Sequence, residues 1–153
     1  MECVIKRAGI ETHAALTDIA HAAKRHWNYP ERWIEIWRDT LTITPDYVAD
    51  NEVIVARVKD QIVGFYALTG SGAKRVLDHL WLLPSSIGGG IGRRLFDHAM
   101  QRARQLGATE VEIEADPNAV GFYERMGATR TGENVYELEG RPRILPLLLY
   151  KLT

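Results

Sequence analysis

Apolar and polar positions follow two different periods along this chain, and these periods divide it into short elements. Runs that are β-branched or that alternate every second residue are typical of strands, and apolar residues three or four positions apart are typical of amphipathic helices. The predicted strands are Cys3–Arg7, Val53–Val58, Ile62–Leu68, Lys74–Leu83, Val111–Ala115, Thr129–Leu138 and Ile144–Leu152. The predicted helices are Thr12–Trp27, Pro30–Leu41, Gly92–Leu106 and Pro117–Met126. The element order is therefore β-α-α-β-β-β-α-β-α-β-β.

This order predicts a mixed sheet. Lys59-Asp60-Gln61 joins two β-branched runs, which is a hairpin signal. The strand–helix–strand unit from Lys74 to Ala115 should hold two parallel strands with a right-handed crossover. The last two strands should pair antiparallel. No repeat or linker-like segment interrupts the 153 residues, so we expect a single domain over residues 1–153.

Composition narrows the class of protein. Hydrophobic residues make up 46% and charged residues 25%, as in ordinary globular proteins, and the net charge of −1 argues against a nucleic-acid partner. Cys3 is the single cysteine, which excludes an internal disulfide and fits a reducing compartment. The N-terminal sequence lacks a signal-peptide pattern, and the apolar stretch Ile144–Tyr150 is too short to span a bilayer. We expect a soluble cytoplasmic protein with no membrane partner.

The segment Leu80–Leu95 carries the first chemical signal. An apolar strand runs into Pro84, then into a glycine-rich turn, and then into a helix that opens with two arginines. The first amides of a helix have no partner within the helix, and together with the positive end of the helix dipole they attract phosphate. The segment therefore predicts a site for an anionic ligand.

Two well-known phosphate loops do not fit this turn. A Walker A loop ends in Gly-Lys-Ser/Thr, which is absent from the chain, and the dinucleotide fingerprint would place its last glycine on Arg93 or Leu95. What remains is Gly88-Gly89-Gly90-Ile91-Gly92-Arg93 after a proline-terminated strand. This arrangement resembles the GCN5-related N-acetyltransferase (GNAT) superfamily, whose acetyl-CoA motif reads Arg/Gln-x-x-Gly-x-Gly/Ala. Here Ile87 stands in the place of the leading Arg or Gln.

A second motif of the same superfamily follows one strand later. The segment Asp116–Ala128 is similar to Asn-x-x-Ala-x-x-Phe-Tyr-x-x-x-Gly-Phe, with a shorter Asn–Ala spacing and with Ala128 in the place of the last Phe. The resemblance implies the acyl-CoA N-acyltransferase fold, an α/β architecture with a mixed, mostly antiparallel central sheet of about six to seven strands and helices on both faces. It also implies an acetyl-CoA-dependent N-acetyltransferase that works by direct transfer in a ternary complex.

The resemblance further implies where acetyl-CoA binds. The fourth and fifth strands splay apart, and the main chain of Trp81 and Leu82 pairs with the pantetheine arm. An N–H near Leu82 polarises the thioester carbonyl, and the amides from Gly88 to Arg93 bind the pyrophosphate. The implied contacts to acetyl-CoA are Trp81, Leu82, Leu83, Ile87, Gly88, Gly89, Gly90, Ile91, Gly92, Arg93, Asn118, Phe122 and Tyr123.

The catalytic groups remain open to alternatives. Tyr123 matches the tyrosine that protonates the coenzyme A thiolate in many members, and it is otherwise a core aromatic. Asn118 either binds the pantetheine or takes part in capping the helix. His79, Asp78 and Glu114 are the candidates for general base, and a water chain competes with them. The remaining histidines lack the spacing of metal ligands, so we expect no metal.

The acceptor is predicted to be a primary amine that binds against aromatic residues of the first two helices and their junction. Trp27, Tyr29 and Trp33 are the candidate pocket residues together with Asp78, whereas Trp37 is expected to belong to a packed helix face. The leading expectation is a small-molecule amine. A peptide or protein N-terminus and a non-catalytic acyl-CoA-binding regulatory module are the alternatives. A homodimer through the C-terminal strands is compatible with the implied fold, although no pattern demands it.

Overall fold

The computed structural model describes residues 2–153, and Met1 lies outside the described residues. The strands are β1 Cys3–Arg7, β2 Glu52–Val58, β3 Gln61–Ser71, β4 Lys74–Leu82, β5 Glu110–Glu114, β6 Thr129–Leu138 and β7 Arg141–Lys151. The helices are α1 His13–Arg25, α2 Glu31–Ile36, α3 Pro45–Asp50, α4 Ile91–Gln105 and α5 Val120–Arg125. The strands form one sheet of seven in the order β1-β2-β3-β4-β5-β7-β6.

The set of predicted helices needs correction. The helix α3 was not predicted, although Thr44 caps it by accepting a hydrogen bond from the Tyr47 amide and Pro45 occupies its first turn. The second predicted helix is shorter than expected. Pro30 is its N-cap rather than its first helical residue, and α2 ends at Ile36, beyond which turns lead to Leu41.

By contacts, the chain divides into two compact units, and the expected single domain stays a prediction. The first unit comprises the chain up to Ala67 together with His79–Asp97. In it β1 pairs antiparallel with β2, from Cys3 opposite Val58 to Arg7 opposite Ile54. Its core is formed by side chains of α1 and of the loop before α3 packed on β2 and β3, among them Leu16, Ile19, Ile43, Val53, Val55 and Phe65.

The second unit comprises Leu68–Asp78 and His98–Thr153. Here β4 and β5 run parallel, with Lys74–Val76 opposite Glu110–Glu112, as the sequence predicted. The other edge of β5 pairs antiparallel with β7 along its whole length. β6 and β7 form a hairpin whose turn residues Glu139 and Gly140 have φ of 54° and 77°. Within residues 2–153, no helix is long and apolar enough to cross a membrane.

Candidate active site

The glycine turn before α4 leaves its backbone open. Gly88 and Gly90 have φ of 92° and 85°, in the left-handed region that favours glycine, and a Cβ on either would meet no atom within 4 Å. The bond from the Arg94 amide to the Gly90 carbonyl, 3.1 Å, opens α4. The amides ahead of Arg94 therefore have no carbonyl within the helix to bind, which is the arrangement that attracts a phosphate to a helix N-terminus.

The two arginines that open α4 have different surroundings. Arg94 Nη1 donates to the Cys3 carbonyl at 3.0 Å, so its guanidinium ties the helix to β1. The Arg93 side chain is exposed, and Ile87, where the related motif has Arg or Gln, is 50% exposed. Of the two arginines, Arg93 is the better candidate for contact with phosphate.

The end of β4 presents a main-chain donor away from β3. The Leu83 amide donates to the Val63 carbonyl at 2.8 Å. Neighbouring amides along a strand point to opposite edges, so the Leu82 N–H is directed to the other edge of β4. Gly64 of β3 permits the close approach of the two strands, because a Cβ there would lie 2.9 Å from the Trp81 carbonyl oxygen and 2.5 Å from Leu82 Cδ2.

His79 is buried, and its ring serves as a hydrogen-bond acceptor. Its Nδ1 accepts the Trp81 indole N–H at 2.9 Å, and the two side chains lie on the same face of β4, as residues two apart on a strand do. The proton of the neutral imidazole then lies on Nε2, and the Nδ1 lone pair is occupied. The rings of Tyr47 and Phe65 pack on the imidazole, with ring centroids 5.7 and 6.0 Å from the His79 centroid. His79 therefore holds the Trp81 ring through this hydrogen bond, and the occupied Nδ1 disfavours His79 as the general base. The neighbouring Asp78 is exposed.

The aromatic residues of the acceptor prediction are only partly brought together. Tyr29 lies 5.9 Å from Trp33 and 5.1 Å from Trp37, ring centroid to ring centroid. Trp37 also packs against the core of the first unit. Trp27 is outside this cluster, 38% exposed, with its ring edge-on to His26 at 5.0 Å. Sequence reasoning missed Lys24, whose ammonium faces Tyr29, Trp37 and Trp81.

In the second unit, Tyr123 of α5 is buried and 7% exposed. Burial raises the pKa of its phenol above the ordinary value, and the nearby Asp116 carboxylate raises it further. Phe122 packs edge-on to Tyr123 at 5.3 Å. The phenol is therefore protonated throughout the neutral and moderately alkaline range, which is the state that a proton donor requires.

Asp116 shapes the turn that leads into α5. Its Oδ1 accepts from the amide of Asn118 at 2.9 Å and from the side-chain Nδ2 of Asn118 at 3.0 Å. Its Oδ2 lies 3.6 Å from the guanidinium of Arg143, and both side chains are largely buried. Asp116 is therefore the capping residue, and the Asn118 amide group points back to it. Arg143 was not among the sequence candidates, since it contacts Asp116 only through the pairing of distant strands.

Glu114, at the end of β5, accepts two side-chain hydrogen bonds on a single carboxylate oxygen. Its Oε2 accepts from Asn134 Nδ2 and from Tyr136 Oη, each at 2.6 Å, and the described residues provide no hydrogen bond to Oε1. The hydrogen bond to Glu114 raises the pKa of the Tyr136 phenol. Sequence reasoning missed both partners, although their two-residue spacing puts them on one face of β6.

Comparison with known proteins agrees with these features. The acetyltransferase (GNAT) domain family matches residues 37–140. The peptidyl-lysine N-acetyltransferase YjaB of Salmonella typhimurium is 34% identical over 137 residues, which is 78% of this chain and 90% of YjaB. A GCN5-related N-acetyltransferase from Rhodopseudomonas palustris is 21% identical with a TM-score of 0.83, covering 99% of this chain and 97% of that one. The PaiA N-acetyltransferase of Thermoplasma acidophilum, solved in complex with coenzyme A, is 22% identical with a TM-score of 0.75, covering 99% of each chain.

The structural similarity confirms the fold that the two motifs implied, a mixed seven-stranded sheet with helices. The family match and YjaB confirm the predicted enzyme class. The chain thus belongs to the GNAT family and is an acetyl-CoA-dependent acetyltransferase.

Proposed function

We propose that this enzyme acetylates the side-chain amine of a lysine in a peptide or protein. The name of the relative YjaB, a peptidyl-lysine N-acetyltransferase that the match covers over 90% of its length, supports this acceptor over the small-molecule amine expected from the sequence. The observation that carries the transferase chemistry is the glycine turn at the start of α4, where Gly88 and Gly90 leave room beside unpaired helix amides.

The donor half of the reaction uses main-chain groups. Acetyl-CoA, when bound, supplies the acetyl group as a thioester. The amides from Gly88 to Arg93 bind its pyrophosphate, and the exposed Arg93 side chain adds positive charge. The Leu82 N–H, directed away from β3, donates to the thioester carbonyl oxygen and stabilises the negative charge that develops there.

The proton transfers use two side chains of the second unit. Glu114 Oε1 accepts a proton from the acceptor ammonium, while Asn134 and Tyr136 keep the carboxylate in one orientation through Oε2. Tyr123 Oη donates its proton to the departing sulfur, and the raised pKa of this phenol ensures that the proton is present. The freed amine nitrogen would form the new bond to the acetyl carbon as the bond from that carbon to sulfur breaks. The second proton of the nitrogen would pass to the Tyr123 phenolate or to solvent, and loss of a proton to solvent would restore the Glu114 carboxylate.

The acceptor is tested by following thiol release from acetyl-CoA. Three sets of acceptors are compared: a peptide with an acetylated N-terminus and one internal lysine, the same peptide with a free N-terminus and arginine at the lysine position, and a panel of small primary amines. We expect release with the first peptide and only background hydrolysis with the others. Release with only the second or third set would reject lysine as the acceptor and retain the acetyltransferase activity.

A thermal shift with acetyl-CoA separates catalysis from binding alone. An active enzyme should show both a raised melting temperature and thiol release. A raised melting temperature with release at background in all three sets would favour a non-catalytic acyl-CoA-binding module. An unchanged melting temperature would contradict the assignment of the glycine turn.

A further inference from the structure

Lys24 is a buried cation enclosed by aromatic rings. It lies in the last turn of α1, is 9% exposed, and belongs to the described buried polar residues. Its Nζ is 4.6 Å from the ring centroid of Trp37, 5.1 Å from that of Tyr29 and 5.9 Å from that of Trp81. These distances are those of cation–π contacts, in which the ammonium is attracted to the negative face of the ring.

The three rings come from different parts of the chain. Tyr29 and Trp37 flank α2, whereas Trp81 is on β4, one residue before Leu82. The Lys24 ammonium therefore connects the α1–α2 region to the strand end that carries the proposed donor to the thioester. The charge is well placed in α1 itself, since a cation in the last helical turn interacts favourably with the helix dipole.

Trp81 is held from two directions. Its indole N–H donates to His79 Nδ1 at 2.9 Å, which fixes the rotation of the ring, and the ring also faces the Lys24 ammonium. His79 is packed by Tyr47 and Phe65, so the hydrogen-bond acceptor is itself held in place. The Leu82 N–H belongs to the planar peptide unit that begins at Trp81, so its direction depends on the backbone of Trp81.

We propose that Lys24 is a positioning residue for acetyl transfer. Its ammonium holds the Trp81 ring, and the Trp81 residue in turn fixes the direction of the Leu82 N–H. This inference rests on the proposed function for the role of Leu82. It assigns the charge of Lys24, rather than the bulk of its side chain, to the reaction, because only the charge is attracted to the three rings.

The test compares Lys24→Met, which keeps the length of the side chain without its charge, with Lys24→Arg, which keeps the charge. We expect kcat to fall about tenfold in K24M, since a loss of about one cation–π contact corresponds to this factor, with the KM for acetyl-CoA within about twofold of wild type. K24R should recover most of kcat. Ile19→Val, a change in the buried core on the same helix, is the matched control and should leave kcat unchanged.

A second readout does not depend on turnover. The indole N–H resonance of Trp81, assigned by its loss in Trp81→Phe, should shift in K24M and return towards the wild-type position in K24R. An unshifted resonance in a folded K24M would overturn the proposal whatever the activity, and so would equal kcat values in K24M and wild type. If K24M does not fold, K24R is compared with wild type instead. A K24R variant with the wild-type Trp81 resonance position but a kcat reduced tenfold would overturn the proposal.

The two readouts also separate this inference from the proposed function. If wild type releases no thiol with any acceptor, the proposed function fails, while the Trp81 resonance still reports whether Lys24 positions the ring. If wild type is active and the resonance is insensitive to K24M, the positioning role alone fails.

Discussion

At the scale of single residues, the proposed proton donor Tyr123 and the proposed proton acceptor Glu114 have opposite protonation requirements. A proton donor must hold its proton until the sulfur departs, and burial together with the Asp116 carboxylate raises the pKa of Tyr123 in that direction. A proton acceptor needs a free lone pair, and Glu114 offers Oε1 because its two hydrogen-bond donors are both on Oε2. His79 differs from Glu114 in this respect, since the indole of Trp81 occupies its Nδ1 lone pair.

Tyr123→Phe should lower kcat about 100-fold, the usual effect of losing a general acid. The phenylalanine preserves the packing against Phe122, so the melting-temperature shift caused by acetyl-CoA should stay as in wild type. Tyr150→Phe, at a tyrosine outside the proposed chemistry, is the control. Equal kcat values for Y123F and Y150F would show that Tyr123 is only a core aromatic.

Glu114→Gln should also lower kcat about 100-fold, because an amide keeps the shape of the side chain and cannot take the proton. Tyr136→Phe should have a smaller effect of about fivefold, corresponding to the loss of one hydrogen bond of about 1 kcal/mol. Glu112→Gln is the control on the same strand, where the carboxylate pairs with Lys74 at 3.1 Å. The assignment of Glu114 would be wrong if E114Q and E112Q had the same kcat.

At the scale of elements, the glycine turn combines a backbone requirement with the proposed binding of the pyrophosphate. Gly90 has a positive φ and open space where a side chain would project, and α4 begins at the next residue. Gly72, in the β3–β4 turn, has the same two features with φ of 74°. The two glycines therefore allow backbone strain to be separated from loss of ligand binding.

Gly90→Ala and Gly72→Ala should each lower the free energy of unfolding by about 1–2 kcal/mol, the cost of placing a Cβ in the left-handed region. Only G90A should weaken coenzyme A binding, about tenfold or more if one hydrogen bond to the charged phosphate is lost. Urea unfolding and titration calorimetry measure the two effects. Equal coenzyme A affinities for the two variants would contradict the assignment of the glycine turn.

At the scale of the whole molecule, the buried phenol of Tyr123 links folding to alkaline pH. The folded chain keeps this proton at pH values where the unfolded chain, with an ordinary tyrosine pKa near 10, has lost it. The contribution to stability is therefore fully present below about pH 10 and is lost as the pH rises through the raised pKa. Above about pH 10, the free energy of unfolding should therefore fall faster than the ionisation of the exposed tyrosines alone would cause.

The free energy of unfolding of wild type should fall more steeply above about pH 10 than that of Tyr123→Phe. The difference in slope should approach about 1.4 kcal/mol per pH unit, the value for one proton. Urea unfolding at several pH values between about 9 and 11 measures it. Since Tyr136 also has a raised pKa and is present in both proteins, parallel slopes would mean that Tyr123 ionises normally.

Local patterns were enough to predict most elements. The pattern of apolar residues predicted the bounds of β1 and β6 to the residue, because these bounds depend on neighbouring positions. The strand–helix–strand order predicted the parallel pairing of β4 with β5, because such crossovers have a preferred handedness. The glycine turn and the motif around Phe122-Tyr123 determined the family for the same reason. The helix α3 was also readable from Thr44-Pro45 and was missed.

Only the tertiary structure decided which side chains meet across long separations. Glu114 meets Asn134 and Tyr136 at separations of 20 and 22 residues, because β7 pairs with both β5 and β6 and its register brings these side chains together across it. Lys24 of α1 meets Trp81 of β4, which is far along the chain, and that contact leaves no periodic signal in the sequence. The sequence by itself therefore determined the donor and the fold, through local backbone requirements. The surroundings of each reacting side chain depended on strand register and packing, which no local pattern encodes.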